Sequence, residues 1–241
     1  QTYRDLYNIQ RLEIFRGPNA MSFGRGGTGG LINRVTKVAG WNPVRDVRLE
    51  AGMYDHYRGS LDIGSAVSDS LAVRLTGVYQ DSGSYRDGVD YQRWGINPTV
   101  AARIGPNTLI EAGYEHFHDE RVADRGVPSQ LTSNAIAEPL DTPRGQFFGN
   151  SEQSPSWTNS DAVNLHIRHD FASGLVLANR TRYAEYDKFY QNVFTVGLNP
   201  TALTNARTIL DAPGMPAGTY ATGSLVGIQA YNNATGRKNF I

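Results

Sequence analysis

From about residue 45 onward, apolar and polar side chains alternate with a period of two, the pattern of strands with one wet face. Val47, Leu49, Ala51 and Met53 alternate with Asp46, Arg48, Glu50 and Gly52. Leu61 and Ile63 alternate with Arg58, Ser60 and Asp62, and Leu71, Val73, Leu75 and Tyr79 with Arg74, Thr76 and Gln80. Trp94, Ile96, Val100, Ala102 and Ile104 stand against Arg93, Asn97, Thr99 and Arg103. Ile110, Ala112 and Tyr114 stand against Glu111 and Glu115, and Val163, Leu165 and Ile167 against Asn164, His166 and Arg168. Leu175, Leu177 and Tyr183 share a phase opposite Arg180 and Arg182. The pattern predicts seven strands, most of about 10–13 residues, long enough to cross a bilayer when tilted.

The connections sort by length. Turns at Ser68-Asp69, Gly105-Pro106-Asn107 and Ala172-Ser173-Gly174 are short, whereas 83–91, 119–160 and 188–241 are long. The connection near Asp55-His56 is short and breaks the alternation. Short turns on one side and long loops on the other are the habit of outer-membrane barrels. The strand arginines Arg48, Arg58, Arg74, Arg93, Arg103, Arg168, Arg180 and Arg182 all fall on the polar phase. On a barrel that phase faces the lumen; on the lipid face each would cost roughly 2–4 kcal/mol at mid-depth. A soluble antiparallel sheet also alternates, but has no reason to sort its loops.

Residues 1–38 read differently. Ile9–Phe15 and Leu31–Lys37 are predicted short strands, separated by a turn at Arg16-Gly17-Pro18 and a run containing Gly24, Gly26, Gly27, Gly29 and Gly30. Such glycine density marks tight turns and close backbone approach, not a helix.

Composition narrows the function. The 241 residues carry 23 Lys+Arg against 23 Asp+Glu, which argues against a nucleic-acid binder that relies on a basic surface. There is no cysteine, so disulfides, thiolate metal sites and thiol nucleophiles are excluded. No stretch approaches the 18 apolar residues of a membrane-spanning helix, which leaves β-barrels open. The chain shows no initiator Met and no signal peptide, and both ends read as cut, as in an internal piece of a longer protein.

The stretch RGPNAMSFGRGGTGGLINRVTK at 16–37, preceded by YRDLYNIQRLEIF at 3–15, closely resembles the end of the plug domain of TonB-dependent outer-membrane receptors, in the siderophore-receptor branch. The match includes Glu13, Arg16, Gly17, Pro18, Phe23, Gly24, Gly26, Gly29, Gly30, Ile32, Asn33, Val35, Thr36 and Lys37. The resemblance implies an all-β fold: a partial transmembrane antiparallel barrel, seven strands of a presumed 22 or so, preceded by the C-terminal end of a plug. Residues 1–38 would be the plug end and 39–241 the first part of the barrel with long extracellular loops. It also implies a location in the outer membrane of a Gram-negative bacterium and uptake of ferric siderophores without bond-breaking chemistry. The implied partners are the ferric siderophore, TonB through a region outside this chain, and outer-membrane lipids, with no nucleic acid and no resident cofactor or metal.

In that family the arginine of the RGP motif, here Arg16, locks plug to barrel by pairing with wall glutamates, which are expected outside this chain. Gly17, Pro18, Gly24, Gly26, Gly29, Gly30 and Asn33 would be structural. Ligand contacts are expected in the loops: Tyr85, Arg86 and Tyr91 in one, and Arg121, Arg125, Arg144, Phe147, Phe148 and Trp157 in the next, with Phe189 and Tyr190 opening the last. Aromatics with arginines suit a planar anionic catecholate or hydroxamate complex. Other readings are the same fold with haem, vitamin, saccharide or metallophore cargo; a plugless porin; and a soluble dinucleotide-binding enzyme, since Gly24, Gly26 and Gly29 spell G-x-G-x-x-G. That last reading needs a helix after the glycines, where the pattern predicts a strand. His116 and His118 share a strand face and could chelate a metal, but a strand end in an aromatic belt accounts for them better, since a ferric siderophore brings its iron already coordinated.

Overall fold

The computed structural model describes residues 4–17, 29–131 and 137–193. The element order is β1 (Ile9–Arg16), β2 (Gly30–Thr36), β3 (Val44–Gly52), β4 (His56–Ser68), β5 (Leu71–Gly83), β6 (Asp90–Ile104), β7 (Thr108–Val122), β8 (Ser129–Leu131), β9 (Ala137–Pro139), β10 (Pro155–Asp170) and β11 (Val176–Tyr190). Strands β3 to β7 with β10 and β11 form one seven-stranded sheet in the order β11-β10-β7-β6-β5-β4-β3. This is an antiparallel meander, with the small β8–β9 hairpin inserted between β7 and β10 among the described residues. The fold is all-β, a partial transmembrane barrel, and the seven expected strands are all present.

Burial follows the predicted phases. On β5, Ala72, Thr76, Val78, Gln80 and Ser82 are buried, while Val73, Leu75 and Tyr79 are exposed. On β6, Asn97 and Ala101 are buried, and Trp94, Ile96, Val100 and Ile104 are exposed. The ten steps from Trp94 to Ile104 run about 33 Å along the strand, which at the usual tilt spans a band about 25 Å tall.

The long strands exceed the predicted lengths: β6, β7 and β11 have 15 residues and β10 has 16. The loop expected at 119–160 is therefore shorter, and Trp157 lies in β10, not in a loop. Likewise Tyr91 belongs to β6, Arg121 to β7, and Phe189 and Tyr190 to β11. The reason is chemical. Past the apolar band neither face meets lipid, so Ser156, Thr158, Asn159 and Ser160 carry on the ladder without any apolar alternation to announce it.

The β1–β2 pair is antiparallel, with Glu13 opposite Asn33, Ile14 opposite Ile32 and Arg16 opposite Gly30. The Asn33 Nδ2 donates to Glu13 Oε2 at 2.6 Å and the Arg11 Nε to Glu13 Oε1 at 2.7 Å. These bonds hold the half-buried Glu13 carboxyl below its usual pKa. Gly30 has φ +134°, and a side chain there would run into the Phe15 carbonyl, so only glycine fits.

Two compact units emerge. One comprises 1–82, 92–119 and 158–188; the other comprises the loop segments 83–91 and 120–157 with the chain from 189 onward.

Candidate functional sites

Within the first unit, segment 4–8 is fastened to lumen-phase side chains of the sheet. The Arg58 guanidinium grips the Asp5 carboxylate with both arms, at 2.9 and 2.8 Å, and Arg93 stands 3.4 Å away. The Asp5 Oδ1 also accepts the backbone N–H of Leu6 and Tyr7. Burial pushes the Asp5 carboxyl up, but the bond and charge of Arg58 with the two N–H donors outweigh it, leaving it below the ordinary value. Arg93 continues to Asp119 at 3.4 Å, and Arg58 donates to Gln80 at 2.6 Å. Arg4 pairs with Glu115 at 3.5 Å, and Arg182 reaches the same carboxylate at 3.7 Å.

Tyr7 is the apolar half of this fastening. Its ring stacks over Phe117, centroids 6.4 Å apart, and Val78 completes the buried cluster. Gly95 makes the seat possible: a Cβ there would lie 2.9 Å from the Tyr7 hydroxyl and from the Phe117 ring. Burial pushes the Tyr7 phenol well above its ordinary pKa. Among the described residues, the Tyr7 hydroxyl, both polar atoms of the Asn8 side chain, Thr76 Oγ1 and Asn97 Oδ1 are buried without a hydrogen-bond partner.

A second fastening lies at 37–41. The Lys37 ammonium donates to the Tyr7 carbonyl at 2.7 Å and pairs with Asp62 at 2.9 Å, while its N–H donates to the Asn8 carbonyl. Arg74 binds Asp62 with two bonds and donates to the Val38 carbonyl at 3.1 Å. Ala39 is buried against Ala72 and Ala101, and Trp41 packs on that cluster with the Arg103 guanidinium 3.5 Å over its ring.

The loop unit carries the expected ligand residues. Arg86, 8% exposed, pairs with Asp124 at 3.1 Å and donates to the Gln146 carbonyl at 3.3 Å. Its guanidinium and that of Arg144 lie 5.4 and 5.3 Å from the centre of the Tyr85 ring, which remains exposed. Arg121 lies over Tyr91 at 5.6 Å, and Arg125 donates to the Tyr190 hydroxyl at 3.4 Å. Phe148 and Ala123 are buried, and the Asp87 N–H bonds the Gly145 carbonyl at 2.8 Å. Trp157 stacks on Phe189 at 6.0 Å, on the same phase of β10 as Val163. Arg86 and Phe148 thus brace the unit from within, and Tyr85 with Arg144 and Tyr91 with Arg121 are its paired arginine–aromatic groups.

The remaining expectations fall as follows. Arg16 is exposed at the end of β1 and Gly17 follows it with φ +86°. Pro18, Gly24 and Gly26 lie outside the described residues. Strand β2, not a helix, follows Gly29, so the dinucleotide reading lacks its helix. His116 stacks on Trp94 at 4.6 Å and bonds Asp161 at 2.8 Å, and His118 bonds Asn159 at 2.6 Å. No group of three or more metal-ligating side chains occurs among the described residues. The sequence reading passed over Arg4, Asp5, Tyr7, Ala39 and Trp41. One signal was present: Val78 and Phe117 are apolar on the polar phase, which requires an apolar visitor inside.

No family model matches the chain. It is 30% identical over 184 residues to the probable TonB-dependent receptor BfrD of Bordetella pertussis, covering 75% of this chain and 25% of that protein. It is 25% identical over 222 residues to the catecholate siderophore receptor Fiu of Escherichia coli, covering 85% of this chain and 29% of Fiu. The open-form crystal structure of Fiu superposes with a TM-score of 0.72 at 25% identity over 80% of this chain and 31% of that one. The siderophore receptor PiuA of Acinetobacter baumannii superposes with a TM-score of 0.74 at 21% identity, over 80% of this chain and 28% of PiuA. In sequence and in fold, the chain is similar to the TonB-dependent receptors of the Gram-negative outer membrane. It spans about a quarter of the length of the curated relatives it matches.

Proposed function

We propose that this chain is the plug end (1–38) and the first wall strands (39–241) of a receptor that imports ferric siderophores across the outer membrane, driven by TonB. The observation that supports this most directly is the fastening of 4–8 into the lumen phase by Asp5, Arg58, Arg93, Arg4 and Glu115. A passive porin has no use for a segment bolted across its wall. A receptor whose plug must both seal and yield needs charged contacts of this kind. In this reading Arg16 adds a further plug-to-wall lock, and Gly17, Pro18, Gly24, Gly26, Gly29, Gly30 and Asn33 shape the plug turn.

The ligand meets the loops. Tyr85 with Arg144 and Tyr91 with Arg121 offer aromatic faces and fixed positive charge to an anionic chelate, while Arg86, Phe148 and Phe147 hold that surface in shape. Arg125 and Trp157 complete the set expected from the sequence, Trp157 from the outward phase of β10. The iron arrives already coordinated by its chelator, and no bond is made or broken in the protein. The relatives named as catecholate and other siderophore receptors favour this cargo over haem, vitamins or saccharides.

The test is uptake of radiolabelled iron by cells expressing the complete receptor. Accumulation from a ferric siderophore, abolished by loss of TonB, is the expected result. Uptake that persists without TonB, or that occurs only with an iron-free substrate, would refute the proposal.

A further inference from the structure

The two fastenings differ in kind. At 4–8 the contacts are ion pairs with lumen arginines and one aromatic ring in a glycine seat. At 38–41 the contact is a close-packed knot: Ala39 between two fully buried alanines, Trp41 under the Arg103 guanidinium, and the Val38 carbonyl held by Arg74. Lys37 sits between them and serves both, with one bond to the Tyr7 carbonyl and one to Asp62.

We propose that residues 38–41 are a fixed anchor, and that displacement of the plug runs up to Lys37 and stops there. This rests on the reading of the chain as part of a TonB-driven receptor. Three physical differences carry it. Ion pairs of the 4–8 fastening can exchange their partners for water as they part, whereas methyl groups in a packed knot have no such compensation. Next, the alanines of the wall leave little room for the linker to slide: a one-residue shift of 38–41 would bring Val38 or Gly40 to the seat of Ala39, one overfilling it and the other leaving a void. Finally, Lys37 is bonded to both fastenings, so load passing along β2 meets its ammonium. Once its bond to the Tyr7 carbonyl opens, its pair with Asp62 still ties the strand to the wall.

The chain has no cysteine, so engineered pairs in the complete receptor are free of native competition from this region. Tyr7→Cys with Gly95→Cys, and Ala39→Cys with Ala72→Cys, would each be bridged with dibromobimane, which fluoresces only when both thiols react. Iron uptake is then compared before and after bridging. The Tyr7–Gly95 bridge is expected to abolish uptake, and the Ala39–Ala72 bridge to leave it at the level of the unbridged variant. Loss of uptake with both bridges overturns the anchor, as does retention with both. Failure of the unbridged and wild-type receptors to take up iron would refute the functional reading instead. In that event, single-molecule pulling from the N-terminal side still decides the anchor. Chain release that pauses at Lys37 before a separate, stronger event supports it, and release of the linker together with 4–8 in one event overturns it.

Discussion

Replacing Asp5 by Asn removes one charge and almost no volume, and so isolates the electrostatic part of the 4–8 fastening. Asp5 is 7% exposed and faces Arg58 at 2.8 Å and Arg93 at 3.4 Å. Removing one member of a buried pair costs roughly 3–5 kcal/mol, because the partner charge stays buried. Here both arginines keep something: Arg58 retains Gln80 and Arg93 retains Asp119. The Asn oxygen still accepts the N–H groups of Leu6 and Tyr7. The expected loss is therefore at or below the lower end, about 2–3 kcal/mol. If segment 4–8 opens locally, that loss speeds amide exchange there by about 30- to 150-fold. The assay is hydrogen exchange by mass spectrometry on the complete receptor in detergent, following peptides that cover 4–8. The sign of the pH effect follows from the same pair. Asp5 has a folded pKa below its unfolded value, so its contribution is fully present above the unfolded value and is lost as pH falls through the folded one. Protection in the wild type should thus survive mild acid and fade only below the ordinary carboxylate range, whereas the Asn variant lacks that step. Exchange in the variant within about threefold of wild type would show that the ion pair does not hold the segment.

Tyr7→Ala empties the seat between Phe117 and Val78 and should destabilise segment 4–8 by about 3–5 kcal/mol, seen as near-complete loss of exchange protection there. Tyr7→Phe removes only a buried hydroxyl without a partner, so protection should hold or rise by up to about 1 kcal/mol. Gly95→Val drives a side chain into the space of Tyr7 and Phe117, an overpacking cost of about 1–3 kcal/mol that should quicken amide exchange across 4–8 with Tyr7 in place. Leu75→Arg puts a charge on the lipid phase of β5 and should lower folding stability in bilayers by roughly 2–4 kcal/mol in a denaturant titration. Tyr85→Ala should weaken ferric siderophore binding by about 3- to 30-fold in fluorescence quenching, through loss of the aromatic face beside Arg144.

The strands were legible because lipid enforces a strict code on one face. Val73, Leu75 and Tyr79 had to be apolar, and their polar alternates had to point inward. The same code fell silent above the band, where Ser156, Thr158 and Ser160 extend β10 under no such demand, and so Trp157 was read as a loop residue. Of the glycines at 1–38, Gly17 and Gly30 take positive φ, angles that few residues other than glycine adopt. The fastening at 4–8 was not legible, since Arg4 and Asp5 are ordinary polar residues until the fold brings Arg58, Arg93 and Glu115 to them from 50 or more positions away. Arg16 was singled out by motif, whereas the residues seen to hold the plug segment carry no local signature at all. For the loops, the residue types were readable but not which would be interior: Arg86 and Tyr85 are sequence neighbours with opposite exposure.

The unpartnered polar atoms around Tyr7 and Asn8 bear on how the segment comes away. A well-satisfied interface must lose its hydrogen bonds before water can replace them, and that sequence raises a barrier even where the net change is small. The Asn8 amide, the Tyr7 hydroxyl, Thr76 Oγ1 and Asn97 Oδ1 have no such bonds to lose among the described residues. Water can bond each of them without first displacing a protein partner, so parting this surface breaks fewer protein–protein hydrogen bonds than its polar content implies. In the proposed receptor, a contact of this kind would rest on its ion pairs and would re-form without having to find one unique set of bonds.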